Sequence, residues 1–297
     1  MSVGRWVEFA NRRGSTRAVG LIRIGLVLLL WSRFANELQL FKSHGNPWHI
    51  ALSLAFFLST TALFLGWKTR ISAVLTAAVL SWMYVGWGFY GDRSDWTHHN
   101  TYLLVISSVW LAFTPCGRSF SLDRFLDLRR AEAAGRELPK EEGYLWGTTL
   151  LSAQVSALYL FSAWDKSSWF FLSGQHLEQT LRHFYTGSDP IGIPGFGVLC
   201  CVLAVGTVGL EYFLPVALYV RRWHRWTVPL GLAFHGVLYL VLSVATFSLT
   251  MAVLYLAYLD PQDVHDAIER MLGRVSPEEP SHHKQPPSSH TGAADRG

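Results

Sequence analysis

Charge is scarce in this chain. Only 15% of its 297 residues are Asp, Glu, Lys or Arg, against roughly 25% in a soluble domain. A soluble protein of this length has room for a large core, but its apolar residues alternate with polar ones at helix or strand period. Here half of the residues are hydrophobic, and they come in long near-continuous runs, which argue for membrane spans. Cysteine is as sparse. Cys116, Cys200 and Cys201 are the three, and none stands in a CxxC or Cys/His spacing, which argues against a disulfide framework and a zinc site. Cys200 and Cys201 read as small buried hydrophobes, and no metal is expected. Met1 to Arg17 is polar and Arg-rich, with no short apolar segment and small-residue cleavage site. No cleaved leader is therefore expected, and the first span is to act as the signal. A single basic stripe is missing too. The net charge of +4 comes from loops between apolar runs, so no nucleic-acid partner is expected and the basic residues read as orientation signals. Neither an inverted repeat nor paired Gly/Pro-broken helices are evident, which counts against a transporter.

The runs predict an all-α, polytopic transmembrane bundle of about eight spans, near residues 18–35, 48–66, 71–90, 96–115, 144–164, 196–219, 226–243 and 246–260. The last two are joined by almost nothing, so His235 to Leu259 reads as a kinked pair or as one bent helix. Nineteen of the 25 lysines and arginines fall in one set of loops and tails and five in the other, with Arg23 inside a span. That asymmetry predicts a multi-pass protein of the cell membrane with both termini cytoplasmic. Residues 1–17 form a basic N-terminus and 18–260 the transmembrane domain. The charged cytoplasmic loop 116–143 is partly helical and divides the spans four and four. Residues 261–297 are a cytoplasmic tail, which from Gly273 is rich in Pro, Ser, His and Gly and reads as disordered. Outside, Ser167 to Tyr185 places Phe170, Leu177, Leu181 and Phe184 at helical spacing. An amphipathic helix on the outer surface is expected there, either a plain anchor or a lid over a pocket.

Ionisable groups inside a bilayer are expensive, so each needs a partner or a purpose. Four places stand out. The run Asp95-Trp96-Thr97-His98-His99-Asn100-Thr101-Tyr102 enters the fourth span from outside. Adjacent helical residues point about 100° apart. His99 shares its side with Tyr102, so His99 is expected to face inward and His98 toward water. At the outer end of the fifth span stand Trp164-Asp165-Lys166. Ser152, Ser156, Tyr159, Ala163 and Lys166 are spaced four, three, four and three, which gives one helix face a small and polar stripe ending at the lysine. Lys166 is either a snorkelling partner of Asp165 or a lysine desolvated enough to be neutral and act as a base. His235, Tyr239 and Ser243 form a polar face in the seventh span, either a pocket wall or an interhelical hydrogen-bonding seam. Arg23 is roughly 8 Å inside the first span and Glu211 roughly 12 Å inside the sixth. Similar depth and opposite charge predict a structural ion pair between them. Most of the other candidates fall toward the outside, so an outer site above an inner lock is expected.

Several of these residues have a familiar setting. Arg23-Ile24-Gly25, Thr97-His98-His99-Asn100-Thr101-Tyr102-Leu103-Leu104, and Phe113-Thr114-Pro115-Cys116-Gly117-Arg118-Ser119-Phe120-Ser121-Leu122-Asp123 resemble the HTTM family. That is the membrane domain shared with vitamin K-dependent γ-glutamyl carboxylase. Phe161-Ser162-Ala163-Trp164-Asp165-Lys166, Trp169, Ser173-Gly174, Glu211 with Pro215, and Phe234-His235 also match family positions, so the resemblance spans about residues 15–260. It implies a lysine base that deprotonates a reduced vitamin K (a menaquinol-like quinol) near the outer face. Oxygenation then yields a strong base that takes a proton from peptidyl glutamate, and carbon dioxide adds. Carried over, Lys166 is the base and His99 the histidine that stabilises developing charge, with His98 or Asn100 as alternatives for that place. Asn100, Tyr102, Tyr159, Asp165, His235 and Tyr239 are then pocket residues. Two departures count. The eukaryotic enzymes have two adjacent lysines where this chain has Asp165-Lys166, and no large lumenal domain follows the last span, so peptide carboxylation is not expected. Bacterial relatives, proteins of the inner membrane, include a maturation factor for a sporulation-delaying toxin. The alternative is therefore a non-catalytic membrane factor for maturation or export of a small peptide. The implied partners are membrane lipid and a small peptide or protein substrate.

Overall fold

The computed structural model describes residues 11–39, 45–92, 97, 99–187, 189, 191–242 and 244–273, with His99 and Asn100 by backbone alone. Every apolar run forms a helix. These are α1 (Arg17–Phe34), α2 (Pro47–Leu65), α3 (Thr69–Met83, continued by a π-helical turn Tyr84–Phe89) and α4 (His99–Leu111). After α5 (Leu122–Ala133) come α6 (Trp146–Lys166), the short α7 (Trp169–Leu172), α8 (Gln175–Tyr185), α9 (Phe196–Ala217), α10 (His224–Leu242), α11 (Ala245–Leu254) and α12 (Pro261–Met271). His235 to Leu259 is a kinked pair, because Val244 leaves helical geometry (φ −87°, ψ 54°) between α10 and α11. Among the described residues, four helices are long and apolar enough to cross a membrane: Pro47–Leu65, Thr69–Phe89, Phe196–Ala217 and Arg221–Leu242. Their outward faces carry exposed Leu54, Leu58, Ile71, Trp82, Val202 and Leu240, more apolar surface than a water-facing protein presents.

Helix α1 runs through the centre. Ile22, Leu26, Leu30 and Phe34 are buried, and so is Arg23, since the helix meets α2, α4, α11 and α12 on its several sides. One end of the bundle is tied by polar contacts. The strand β1 (Arg13–Ser15) pairs antiparallel with β2 (Glu142–Tyr144). Arg17 donates to Glu141 at 2.7 Å and also to Glu269 on α12, while Ser15 and His265 share a hydrogen bond of 3.2 Å. The strand before α1, the loop after α4 and the last helix therefore lie on one side of the bundle. The 116–143 loop is partly helical, through α5. Asp123 on it accepts from the backbone N–H of Lys68 and Thr69 and from the Thr69 hydroxyl, and so caps the start of α3.

Two expectations are corrected here. The tail does not begin at 261: Asp260 caps α12 and Pro261 fills its first turn, the usual helix-start pair, and Val264 is buried. The segment 167–185 is not one continuous helix: the amphipathic helix is Gln175–Tyr185 alone, after the separate α7. Gly174, at φ 81°, breaks it, and a Cβ on Gly174 would fall on the backbone of Cys200 and Cys201. Both pieces are thus docked on the first turns of α9, with Leu181 buried but Phe170 and Phe184 exposed. Gly174→Ala meets both a left-handed φ and this backbone. It is expected to detach α7 and α8 from α9, read as new protease cleavage within 167–185 and a lower melting temperature. Unchanged cleavage would show the contact to be dispensable.

Candidate functional site

The predicted stripe on α6 is the inner wall of a polar seam between α6, α9, α10 and α11. Small and hydroxyl residues at steps of three and four let neighbouring helices bring their own polar groups against one face. At the lower end the Tyr258 hydroxyl donates to the Ser152 carbonyl at 2.8 Å and lies 2.8 Å from Ser156 Oγ. The Tyr219 hydroxyl reaches Ser152 Oγ at 3.4 Å. One turn on, the Tyr159 hydroxyl stands 2.6 Å from His235 Nε2 and 2.5 Å from the Tyr255 hydroxyl. All three side chains are buried, and Phe234 and Phe247 pack edge-on against the imidazole.

The seam ends at Lys166. Its Nζ donates at 2.6 Å to Glu211 Oε1 and at 2.6 Å to Ser162 Oγ, and the serine in turn donates to the same carboxylate oxygen at 3.2 Å. The Glu211 side chain is 6% exposed and that of Lys166 29%. Pro215, four residues beyond Glu211, has no N–H to give to the Glu211 carbonyl, so the helix is locally loosened where the carboxylate projects. Two buried polar atoms on the seam, Glu211 Oε2 and His235 Nδ1, have no hydrogen-bond partner among the described residues.

This arrangement revises several expectations. Arg23 and Glu211 do not pair. Arg23 instead spreads its guanidinium over two backbone carbonyls, Cys116 O at 2.7 Å and Phe120 O at 2.6 Å. Glu211 faces α6, and Arg23 faces the loop after α4. Lys166 takes its counter-charge from Glu211 and not from its neighbour Asp165, which is exposed. The lysine is the last residue of α6. It faces a residue fifteen positions after Phe196, so roughly 22 Å of α9, at 1.5 Å per residue, runs on beyond Glu211 against α7 and α8. Tyr239 is 43% exposed and forms no wall with His235. Ser243, its expected companion, lies outside the described residues. Tyr102, 41% exposed, packs against Tyr84 and not in the seam. Asp95, His98 and the side chains of His99 and Asn100 also lie outside the described residues. Sequence reasoning missed Ser162, Tyr219, Tyr255 and Tyr258. Ser162 was legible, one turn before Lys166. The tyrosines were not, because their role depends on where α9 and α11 come to rest.

The family model described as the HTTM domain matches residues 33–262, which include His99, Lys166, Glu211 and His235. No curated protein matches the chain, and no solved structure does.

Proposed function

This chain belongs to the HTTM domain family, and on that premise we propose that it is a membrane enzyme of quinol-dependent base chemistry centred on Lys166. In the same reading it is a multi-pass protein of a bacterial inner membrane, with eight spans and cytoplasmic termini. The pairing of β1 with β2, and the packing of α12 beside them, support an even number of crossings before and after the central loop.

The Lys166–Ser162–Glu211 junction carries the chemistry. A lysine acts as a base only when neutral. Beside a carboxylate in apolar surroundings, one proton moving from Nζ to Oε1 turns two costly charges into two neutral groups. Glu211 is then the first proton acceptor, and Ser162 keeps the amine in place. A reduced naphthoquinone of the vitamin K type, when bound, supplies an acidic hydroxyl and the oxygen chemistry that follows. The seam fits such a molecule in kind. Its surround is aromatic and aliphatic, and Glu211 Oε2 and His235 Nδ1 are buried polar atoms left without partners. Tyr159 and Tyr255 would hold His235, with Nε2 engaged and Nδ1 turned to the ligand. His99 would stabilise developing charge.

Purified wild type is expected to bind a reduced naphthoquinone, and Lys166→Ala to weaken that binding at least tenfold, about 1.4 kcal/mol, by fluorescence quenching or calorimetry. No binding by well-folded wild type would overturn this reading in favour of a non-catalytic factor for maturation or export of a small peptide.

A further inference from the structure

The polar seam continues inward past the candidate base. Its lower residues, Ser152, Tyr219 and Tyr258, form part of the wall of a cavity of about 480 Å³ at the tied end of the bundle. The charged and titratable groups on that cavity are Arg12, Arg221, His224 and Asp260. Thr148, one turn below Ser152, lines it with a buried hydroxyl that has no partner among the described residues. In the other direction, α9 runs on past Glu211 against α7 and α8, where exposed Trp164, Trp169 and Phe170 dominate.

We propose that the seam is a proton path joining the Lys166–Glu211 pair to water on the side of β1, β2 and α12. The proposal rests on Lys166 acting as a base. A base buried in a bundle must shed the proton it takes up before it can act again. Hydroxyl groups both donate and accept, so a file of them can pass a proton and return to its starting state by rotation. The groups stand in order along one face of α6. Lys166 and Glu211 come first, with Ser162 between them. Tyr159 follows, with Tyr255 at 2.5 Å and His235 at 2.6 Å. Ser156 with Tyr258 at 2.8 Å comes next, and then Ser152 and Tyr219 at the cavity.

Three joints on this line have no hydroxyl-to-hydroxyl hydrogen bond. Tyr258 meets Ser152 only at its carbonyl, but Tyr258 itself lines the cavity, so the file reaches water there. Tyr255 and Tyr258 belong to one tight turn, their rings 6.3 Å apart, and rotation of the tyrosine side chains carries the proton between them. Between Ser162 and Tyr159 lies less than one helical turn of α6, roughly 4.5 Å of rise, which the flexible Lys166 stem covers. In balance, Lys166 Nζ gives one proton to Glu211. Each hydroxyl takes one proton and releases another, and one proton reaches water in the cavity. The charged groups facing the path are Lys166, Glu211 and His235 within it and Arg12, Arg221, His224 and Asp260 at its mouth.

The test uses full-length protein in membrane vesicles of known, opposite sidedness, without any quinol. A membrane-permeant acylating reagent marks Lys166 only as the free amine, and mass spectrometry of the Lys166 peptide gives the rate. Raising the pH on the side of β1 and α12 from about 6.5 to about 8.5, with the other side fixed, is expected to speed wild-type acylation at least about fivefold. In Tyr159→Phe and Ser156→Ala that response is expected to fall below about twofold. Ser156→Ala, which lies outside the Lys166–Ser162–Glu211 junction, should match wild type in detergent, where one pH bathes both faces. Wild-type acylation that follows only the opposite side, no acylation at either pH, or a full response in Ser156→Ala with matched detergent rates would each overturn the path. Because no quinol is present, failure of quinol binding and failure of the path are separate results.

Discussion

Arg23→Ala is expected to destabilise the protein by about 4 kcal/mol, more than any other single change considered. The guanidinium is fully buried and its two forks hold Cys116 O and Phe120 O. Hydrogen bonds to a charged group contribute about 1.5–3 kcal/mol each, and truncating a large buried side chain adds a cavity cost of a few kcal/mol. The desolvation cost that the charge no longer bears offsets part of this. The site cannot relax easily. Gly66 lies against Arg23 Nη1 and Ser121 so closely that a Cβ there would strike both, and Phe120 already has a positive φ of 52°. Arg23→Lys should recover less than half of the loss, because a single ammonium cannot span two carbonyls as a planar fork does. Thermal melting in detergent decides the matter. An Arg23→Lys variant as stable as wild type would show that charge alone, and not the fork, holds the loop after α4.

The second large effect is expected at Glu211, another buried charge. Lys166→Met leaves Glu211 as an uncompensated carboxylate at 6% exposure. Breaking a buried pair from one side costs about 3–5 kcal/mol, and the lower end applies here because Lys166 is partly open. Glu211→Leu alone leaves a lysine that can turn toward water, so it should cost less. The double variant removes both charges and should be nearly as stable as Glu211→Leu, a coupling of about 2 kcal/mol in a double-mutant cycle. Additive single effects would show that the 2.6 Å contact contributes nothing to folding. Stability and quinol binding should then part company. The double variant is expected to fold and yet to bind no better than Lys166→Ala.

Much of this fold was legible because a membrane helix advertises itself. Each apolar run coincides with a helix among the described residues, since hydrophobicity and length set them, and four of these helices are long and apolar enough to cross a membrane. The face of α6 was legible for the same reason: Ser152, Ser156, Tyr159 and Lys166 recur at helical spacing, and that period survives any packing. What sequence could not give is azimuth between helices. Counting residues along α9 says nothing of Glu211's partner, because facing depends on how α9 rolls against α6. Tyr239 was assigned with His235 on spacing alone, but it is the near side of that histidine, toward Tyr159 and Tyr255, that is buried. The break at Gly174 was hidden because a glycine in an amphipathic pattern costs little to the pattern. Only contact with Cys200 and Cys201 shows why a side chain is excluded there. Helix α12 was hidden by its setting, a charged stretch that adjoins a low-complexity tail.

The clasp on Arg17 has a consequence for how the chain is made. Its two carboxylate partners lie 124 and 252 residues further along. A ribosome that has just released the first helix has therefore delivered an arginine whose second partner is made 252 residues later. The tied end of the bundle is completed only when Glu269 emerges, so insertion of the early helices and closure of the finished protein are separate events in biosynthesis. Nascent chains halted before residue 269 should carry an open, protease-sensitive clasp, and the same chains released at full length should not.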